Sequence, residues 1–346
     1  MRRTLLIIAI AFQVLVLASM AGKREYIAAT GTTAFLRTAP IDPRDLFRGD
    51  YVRLRYEASL VPLALASADI ADQSKKNAYG ATVYAQLVVG EGGLAEVTGL
   101  STTKPESGLY LKGRLGQPWS FGMAAPSTAA VEYGIEAYYV QQGKGLEIEK
   151  QQGTRTTIQT PLEMEVAIGG DGTAVIRGYR WSPLSIGLEA IESPRQANPF
   201  EIQRQDNLPG RKSARLRLTL KNTSQKPLAL VNLPSFCSLS LEPVSPGQQA
   251  KVQDRPACSG LAPTDNDVLA LQPEEARYYD IDLVEQQWQV FKNNALTETG
   301  ALDWNERFRI VYLPPNAGAA AHLKDAAIIW HGRLPSRAFH GRGNID

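Results

Sequence analysis

Histidine and cysteine are scarce in this chain, three and two in 346 residues. His322, His331 and His340 stand at nine-residue spacing near the C-terminal end. No helical metal motif uses that spacing, and a metal site needs three or four converging ligands. No G-x-S-x-G elbow presents a serine nucleophile. Blocks of lysine and arginine are lacking too. The net charge is only +2 and the charges are scattered, so nucleic acid is not an expected partner. Gly90-Glu91-Gly92-Gly93 and Gly169-Gly170-Asp171-Gly172 open no helix carrying Lys-Ser/Thr, so they read as hairpin turns rather than phosphate cradles. Acid pairs drawn from Glu136 and Glu147, or from Asp42, Asp45 and Asp50, have no pattern that brings them together. The sequence thus assigns no catalytic residue, no metal ligand and no cofactor.

Long apolar runs are absent with one exception. Thr4 to Gly22 is uncharged, preceded by Arg2 and Arg3 and closed by Lys23-Arg24-Glu25. A helix crossing the hydrocarbon needs about 20 apolar residues. The flanking charge favours an N-terminus on the cytoplasmic side. A cleaved signal peptide is the rival, with Ser19 and Ala21 suitably small for cleavage before Gly22. The run exceeds the usual ~7–15-residue apolar region of a signal peptide, which favours an uncleaved anchor over residues 1–24. The expectation is a single-pass protein of the cytoplasmic membrane, its helix in lipid and its bulk in the periplasm or outside. An oxidising compartment permits Cys237 and Cys258 to pair. Pro243, Pro246, Gly247 and Pro256 suit a turn-rich loop between them, and closing it contributes about 3 kcal/mol in the chain-entropy view. Two separate buried thiols are the alternative.

Beyond the anchor the chain reads as mostly β, in two domains. Residues 25–183 form a β-rich domain with short helices, among them one from Ser67 to Lys76, one turn at Arg44 to Arg48, and one from Leu146 to Gln152. Residues 184–212 hold Pro194, Pro199, Pro209 and Gly210 and read as a linker. Residues 213–346 show some seven short strands, from Ala214–Asn222 to Ala326–Leu334, separated by Pro, Gly and Asn turns. That pattern predicts a β-sandwich of immunoglobulin-like kind. Only the tail after Phe339 reads as disordered. Asn222-Thr223-Ser224 fits a glycosylation triplet but reads as a turn.

The densest motif is Gly49-Asp50-Tyr51-Val52-Arg53-Leu54-Arg55-Tyr56. By strand alternation Val52, Leu54 and Tyr56 share a core face, while Tyr51, Arg53 and Arg55 share the other. Gly49 and Asp50 read as ordinary turn chemistry at a strand entrance. The functional alternative makes Asp50, Arg53 and Arg55 an exposed cluster for a partner or ligand. The octet resembles the name motif of the GDYxxLxY proteins, a bacterial family whose biochemical role is not established. Gly108-Leu109-Tyr110-Leu111-Lys112-Gly113-Arg114, Tyr133-Gly134-Ile135-Glu136 and Ala174-Val175-Ile176-Arg177-Gly178 resemble further family segments in the same order. The resemblance covers residues 32–183 and implies a membrane-anchored protein working beside a multi-pass membrane protein. Residues 41–50 also resemble the nucleophile segment of bacterial signal peptidases, but Ile41 stands where the serine belongs, so no nucleophile carries over.

The resulting expectation is a non-enzymatic accessory or interaction protein of a cell-envelope complex. The alternatives are an envelope hydrolase or peptidase, and a ligand- or glycan-binding module displaying Trp119, Trp181 or Trp330.

Overall fold

The computed structural model describes residues 2–39, 51–70, 79–116, 128–141, 144–153, 157–192, 213–244, 250–304 and 306–345. The fold is mostly β with one long N-terminal helix. The chain forms two compact units: Met1–Trp119, Thr128–Gly145 and Leu162–Arg180 make the first, and Ser120–Ser127, Leu146–Pro161 and Trp181–Asp346 the second.

The first unit begins with helix Arg2–Thr30. From Thr4 to Thr30 it is long and apolar enough to cross a membrane. The helix outlasts its apolar run by two turns, because its last turns have something to pack on. Ile27 is buried, and a Cβ on Gly169 would stand 3.1 Å from the Ile27 side chain. Gly31 then turns the chain into strand Thr32–Ala39, its N–H donating to the Ile27 carbonyl at 2.8 Å. A Cβ on Gly31 would meet that carbonyl at 2.7 Å, so only glycine fits this approach.

Strand Thr32–Ala39 lies inside a four-stranded antiparallel sheet. Leu162–Ile168 pairs along one side, from Thr32↔Ile168 to Arg37↔Glu163, and Arg55–Tyr56 pairs at the far end of the other. Ala174–Trp181 completes the sheet beyond Leu162–Ile168. A second sheet runs in the order Leu60–Pro62, Thr128–Glu132, Leu109–Leu115, Thr82–Val89, Ala95–Ser101. Alternation fixes which side chains it buries: Val83, Ala85 and Leu87 on one strand, Leu111 and Leu115 on its neighbour. The expected strand from Tyr51 to Glu57 is broken at Leu54, into Tyr51–Arg53 and Arg55–Tyr56. Glu136 to Val140 holds the strand Ala137–Tyr139. The expected helix near residue 146 is present as Lys144–Gln152. Of the one expected from Ser67, helical residues 68–70 are described and 71–76 lie outside the described residues, as does the turn at 44–48.

In the second unit a four-stranded sheet runs in the order Ile158–Gln159, Leu184–Glu192, Arg215–Asn222, Ala276–Asp282. Leu184–Glu192 occupies the start of the stretch expected to be linker. It pairs with Arg215–Asn222 from Leu184↔Asn222 onward and alternates Leu184, Ile186 and Leu188 into the core. The prolines at 183 and 194 bracket a strand rather than mark a connection, and 193–212 lies outside the described residues. A three-stranded sheet, Leu239–Pro243, Phe308–Tyr312 and Leu334–Pro335, contributes to the same core, which centres on Leu216, Leu218, Trp288, Phe308, Tyr312 and Phe339.

Two expectations fail in this unit. The last strand is not Ala326–Leu334: a short 3-10 turn covers Ala326–Ile328 and a two-residue strand covers Leu334–Pro335. The Ala326–Ile329 run packs instead through Ile329 on a satellite core of Val231, Leu233, Ala320 and Leu323. The tail after Phe339 is ordered as far as Ile345. Phe339 is fully buried and bridges Phe308, and the Gly341 carbonyl accepts the Ala214 N–H at 2.8 Å. Polar composition did not reveal the single aromatic that pins this tail. Cys237 and Cys258 are joined by a disulfide.

Candidate functional site

The name motif sits where three backbone segments converge in the first unit. Its strand Tyr51–Arg53 forms a two-stranded ribbon with Ala137–Tyr139, register Tyr51↔Tyr139 and Arg53↔Ala137. Gly49 and Asp50, expected to form a turn, lie outside the described residues. Leu54 and Tyr56 are buried as alternation predicts, and Arg55 is half-buried.

The buried half of the motif is clamped to the Tyr133–Glu136 segment, the third of the family-like stretches. The Leu54 N–H donates to the Glu136 carbonyl at 2.7 Å. The Tyr56 hydroxyl donates to the Ile135 carbonyl at 2.7 Å. In return the Tyr133 hydroxyl donates to the Ala58 carbonyl, also at 2.7 Å. Two tyrosines thus cross-brace two chain segments. Gly134, at φ +78°, supplies the left-handed step that lets Tyr133 and Ile135 both turn inward. Burial, with the nearby Glu136 charge adding to it, pushes both phenols above their ordinary range. At neutral pH they are therefore hydrogen-bond donors, not bases. A side chain locked this way positions backbone and has no free proton to exchange.

Of the other family-like stretches, Gly108–Arg114 is tied to the turn that leads into Ala174–Gly178. The Tyr110 hydroxyl donates to the Gly170 carbonyl at 2.7 Å, and the Lys112 N–H to that of Gly172 at 2.8 Å. Gly172 (φ +79°) lies so close that a Cβ there would stand 2.5 Å from the Tyr110 ring. These contacts seat the 169–172 hairpin turn on strand Leu109–Leu115.

A buried charge cluster lies in the four-stranded sheet. Arg37 reaches Glu163 at 2.9 Å with both side chains buried, and Arg180 reaches the other carboxylate oxygen at 2.8 Å. Arg180 also donates to the Gly92 carbonyl at 2.7 Å and lies 3.5 Å over the Phe35 ring. One carboxylate shared by two guanidiniums has its lone pairs committed, so this cluster is a clamp across the sheet. The sequence offers no signal for it, since Arg37 and Glu163 meet only through the strand register.

The histidines each meet a backbone carbonyl, Pro263 for His322, Pro315 for His331 and Asp303 for His340. His340 also accepts the Arg342 N–H on Nδ1, so its proton sits on Nε2. Burial holds its pKa down to about 4. Trp330 is buried and stacked on Tyr312 rather than displayed, and Trp119 lies outside the described residues. Among the described residues no three His, Cys, Asp or Glu side chains are placed to hold a metal.

No curated protein and no solved structure matches the chain. The family model described as GDYXXLXY protein does, over residues 13–178. That span holds the end of the helix, the motif ribbon, the tyrosine braces and the hairpin packed on Tyr110. Residues 13–178 of this chain are thus similar to the GDYXXLXY family, in the span that carries its name motif.

Proposed function

We propose that the protein is an accessory subunit of a cell-envelope complex, held in the cytoplasmic membrane by its uncleaved helix and acting through contacts rather than chemistry. Its N-terminus faces the cytoplasm and both units lie outside. Its partner is a multi-pass membrane protein, met by the apolar helix and by the outer face of the motif ribbon.

The observation that carries this reading is the junction at the helix end. The helix passes unbroken through residues 19–22 and is packed into the first unit by Ile27, with Lys23 paired to Asp171 at 2.7 Å. Both contacts lie on the C-terminal side of the candidate cleavage point before Gly22, so they tie the helix end to the first unit, while the length of the apolar run is what favours retention of residues 1–21. Leu5 to Met20 stay exposed, an apolar surface for lipid and for a neighbour's helices.

Affinity capture of the full-length protein from detergent-solubilised membranes tests the proposal, with mass spectrometry of the captured proteins. The expected result is one defined membrane protein, lost when residues 1–24 are replaced by a cleavable signal. Arg53→Glu with Arg55→Glu should weaken its recovery while leaving the thermal unfolding midpoint within a few degrees. Recovery of nothing above background would overturn the complex.

A further inference from the structure

The helix end also fixes how high the first unit stands above the membrane. The uncharged run closes at Gly22, and Lys23 is the next residue. A helix rises about 1.5 Å per residue, so Lys23 stands within roughly 2 Å of the hydrocarbon edge along the axis. Lys23 is bonded to Asp171, and Ile27, one turn on, is packed on Gly169. The 169–172 hairpin turn therefore sits at the level of the lipid headgroups, a layer roughly 5–8 Å thick. No linker intervenes to lift it.

Exposed cations lie beside that turn. Tyr110, buried beneath it, bonds its tip through the Gly170 carbonyl. The Lys104 ammonium lies 5.8 Å from the centre of the Tyr110 ring. Lys112 is hydrogen-bonded through its backbone to Gly172 and its side chain is exposed. Arg24 and Tyr26 are exposed on the helix itself. A tyrosine at the water–lipid boundary, as Tyr26 is here, and lysines facing anionic headgroups form a recurrent interfacial pattern. Glu25 and Glu106 are the acidic residues within two positions of these cations in sequence, and Asp171 is already paired with Lys23.

We infer that the first unit lies against the membrane surface, with Lys104 and Lys112 contacting anionic phospholipid headgroups on either side of Tyr110. The inference rests on the helix being embedded in the bilayer, as proposed above, and adds a second lipid contact made by the folded domain.

Full-length protein in nanodiscs tests it, carrying one bimane label at Ser107→Cys, in phosphatidylcholine alone or with one third phosphatidylglycerol. A nitroxide on the lipid headgroup serves as quencher. The expected result is quenching of bimane by about half or more, deepened by phosphatidylglycerol. Lys104→Glu with Lys112→Glu should abolish the phosphatidylglycerol effect while the protein still co-purifies with the discs. A label left unquenched on disc-bound protein overturns the surface contact and spares the anchor. Quenching that ignores both phosphatidylglycerol and the charge reversal overturns the headgroup role of the two lysines. Protein that fails to join the discs overturns the anchor and this inference with it.

Discussion

Tyr56 carries its hydroxyl into the core and donates it to the Ile135 carbonyl, where no solvent reaches it. Tyr56→Phe removes the donor but keeps the ring, so urea denaturation should show a loss of about 1–3 kcal/mol with the fold retained. Leu54→Ala, which empties core volume, should cost more, about 2–5 kcal/mol. The last residues of the motif are thus explained by packing, a role that strand alternation already announces in the sequence. Their partners were not announced, because a tyrosine hydroxyl and a backbone carbonyl some eighty positions on leave no shared pattern. His340 gives a prediction in pH. Its pKa is held near 4 in the fold and returns toward 6.5 when the chain unfolds, so the unfolded state binds the extra proton between those values. Stability is complete above about pH 6.5 and falls as pH drops toward 4, by up to about 3 kcal/mol. Urea titrations across that window should show the slope, and His340→Gln should flatten it. Gly341 has no room for a side chain. A Cβ there would stand 2.1 Å from the Thr299 carbonyl carbon, so Gly341→Ala should displace the C-terminal strap at a cost of about 3 kcal/mol.

At the level of elements, the N-terminal helix and its first strand act as one piece. Ile27→Asp puts a charge where the helix meets Gly169, and the last turns should fray. Trypsin cleavage after Arg24 in detergent should then rise about tenfold, reporting local opening at the junction. The helix was legible in the sequence only as far as its composition reached, to Gly22; its remaining turns are fixed by tertiary contact. Leu184–Glu192 shows the opposite case. Its alternating Leu184, Ile186, Leu188 and Ala190 were present to be read, but flanking prolines made the stretch look like a connection. Two-residue strands such as Ile158–Gln159 and Leu334–Pro335 are too short to carry any period, so only their partners define them. Arg37–Glu163–Arg180 was equally invisible, being a product of register.

Across the whole molecule, the two units are interleaved along the chain. Residues 146–161 belong to the second unit, and the chain then returns to supply Leu162–Arg180 to the first. A fragment starting at Ser213 lacks both strands that precede Arg215–Asn222 in its sheet. It should be insoluble or show no cooperative thermal transition, whereas a fragment starting at Leu146 should unfold cooperatively. On the proposed topology, with both units outside the cytoplasmic membrane, the same path governs export. Thr32–Ala39 leaves the membrane first, yet its longest partner is Leu162–Ile168. During translocation this strand waits, edge open, until most of the first unit has crossed. The protein should therefore depend on a holding chaperone outside the membrane, and its passage should be most vulnerable to aggregation in the interval before Ile168 emerges.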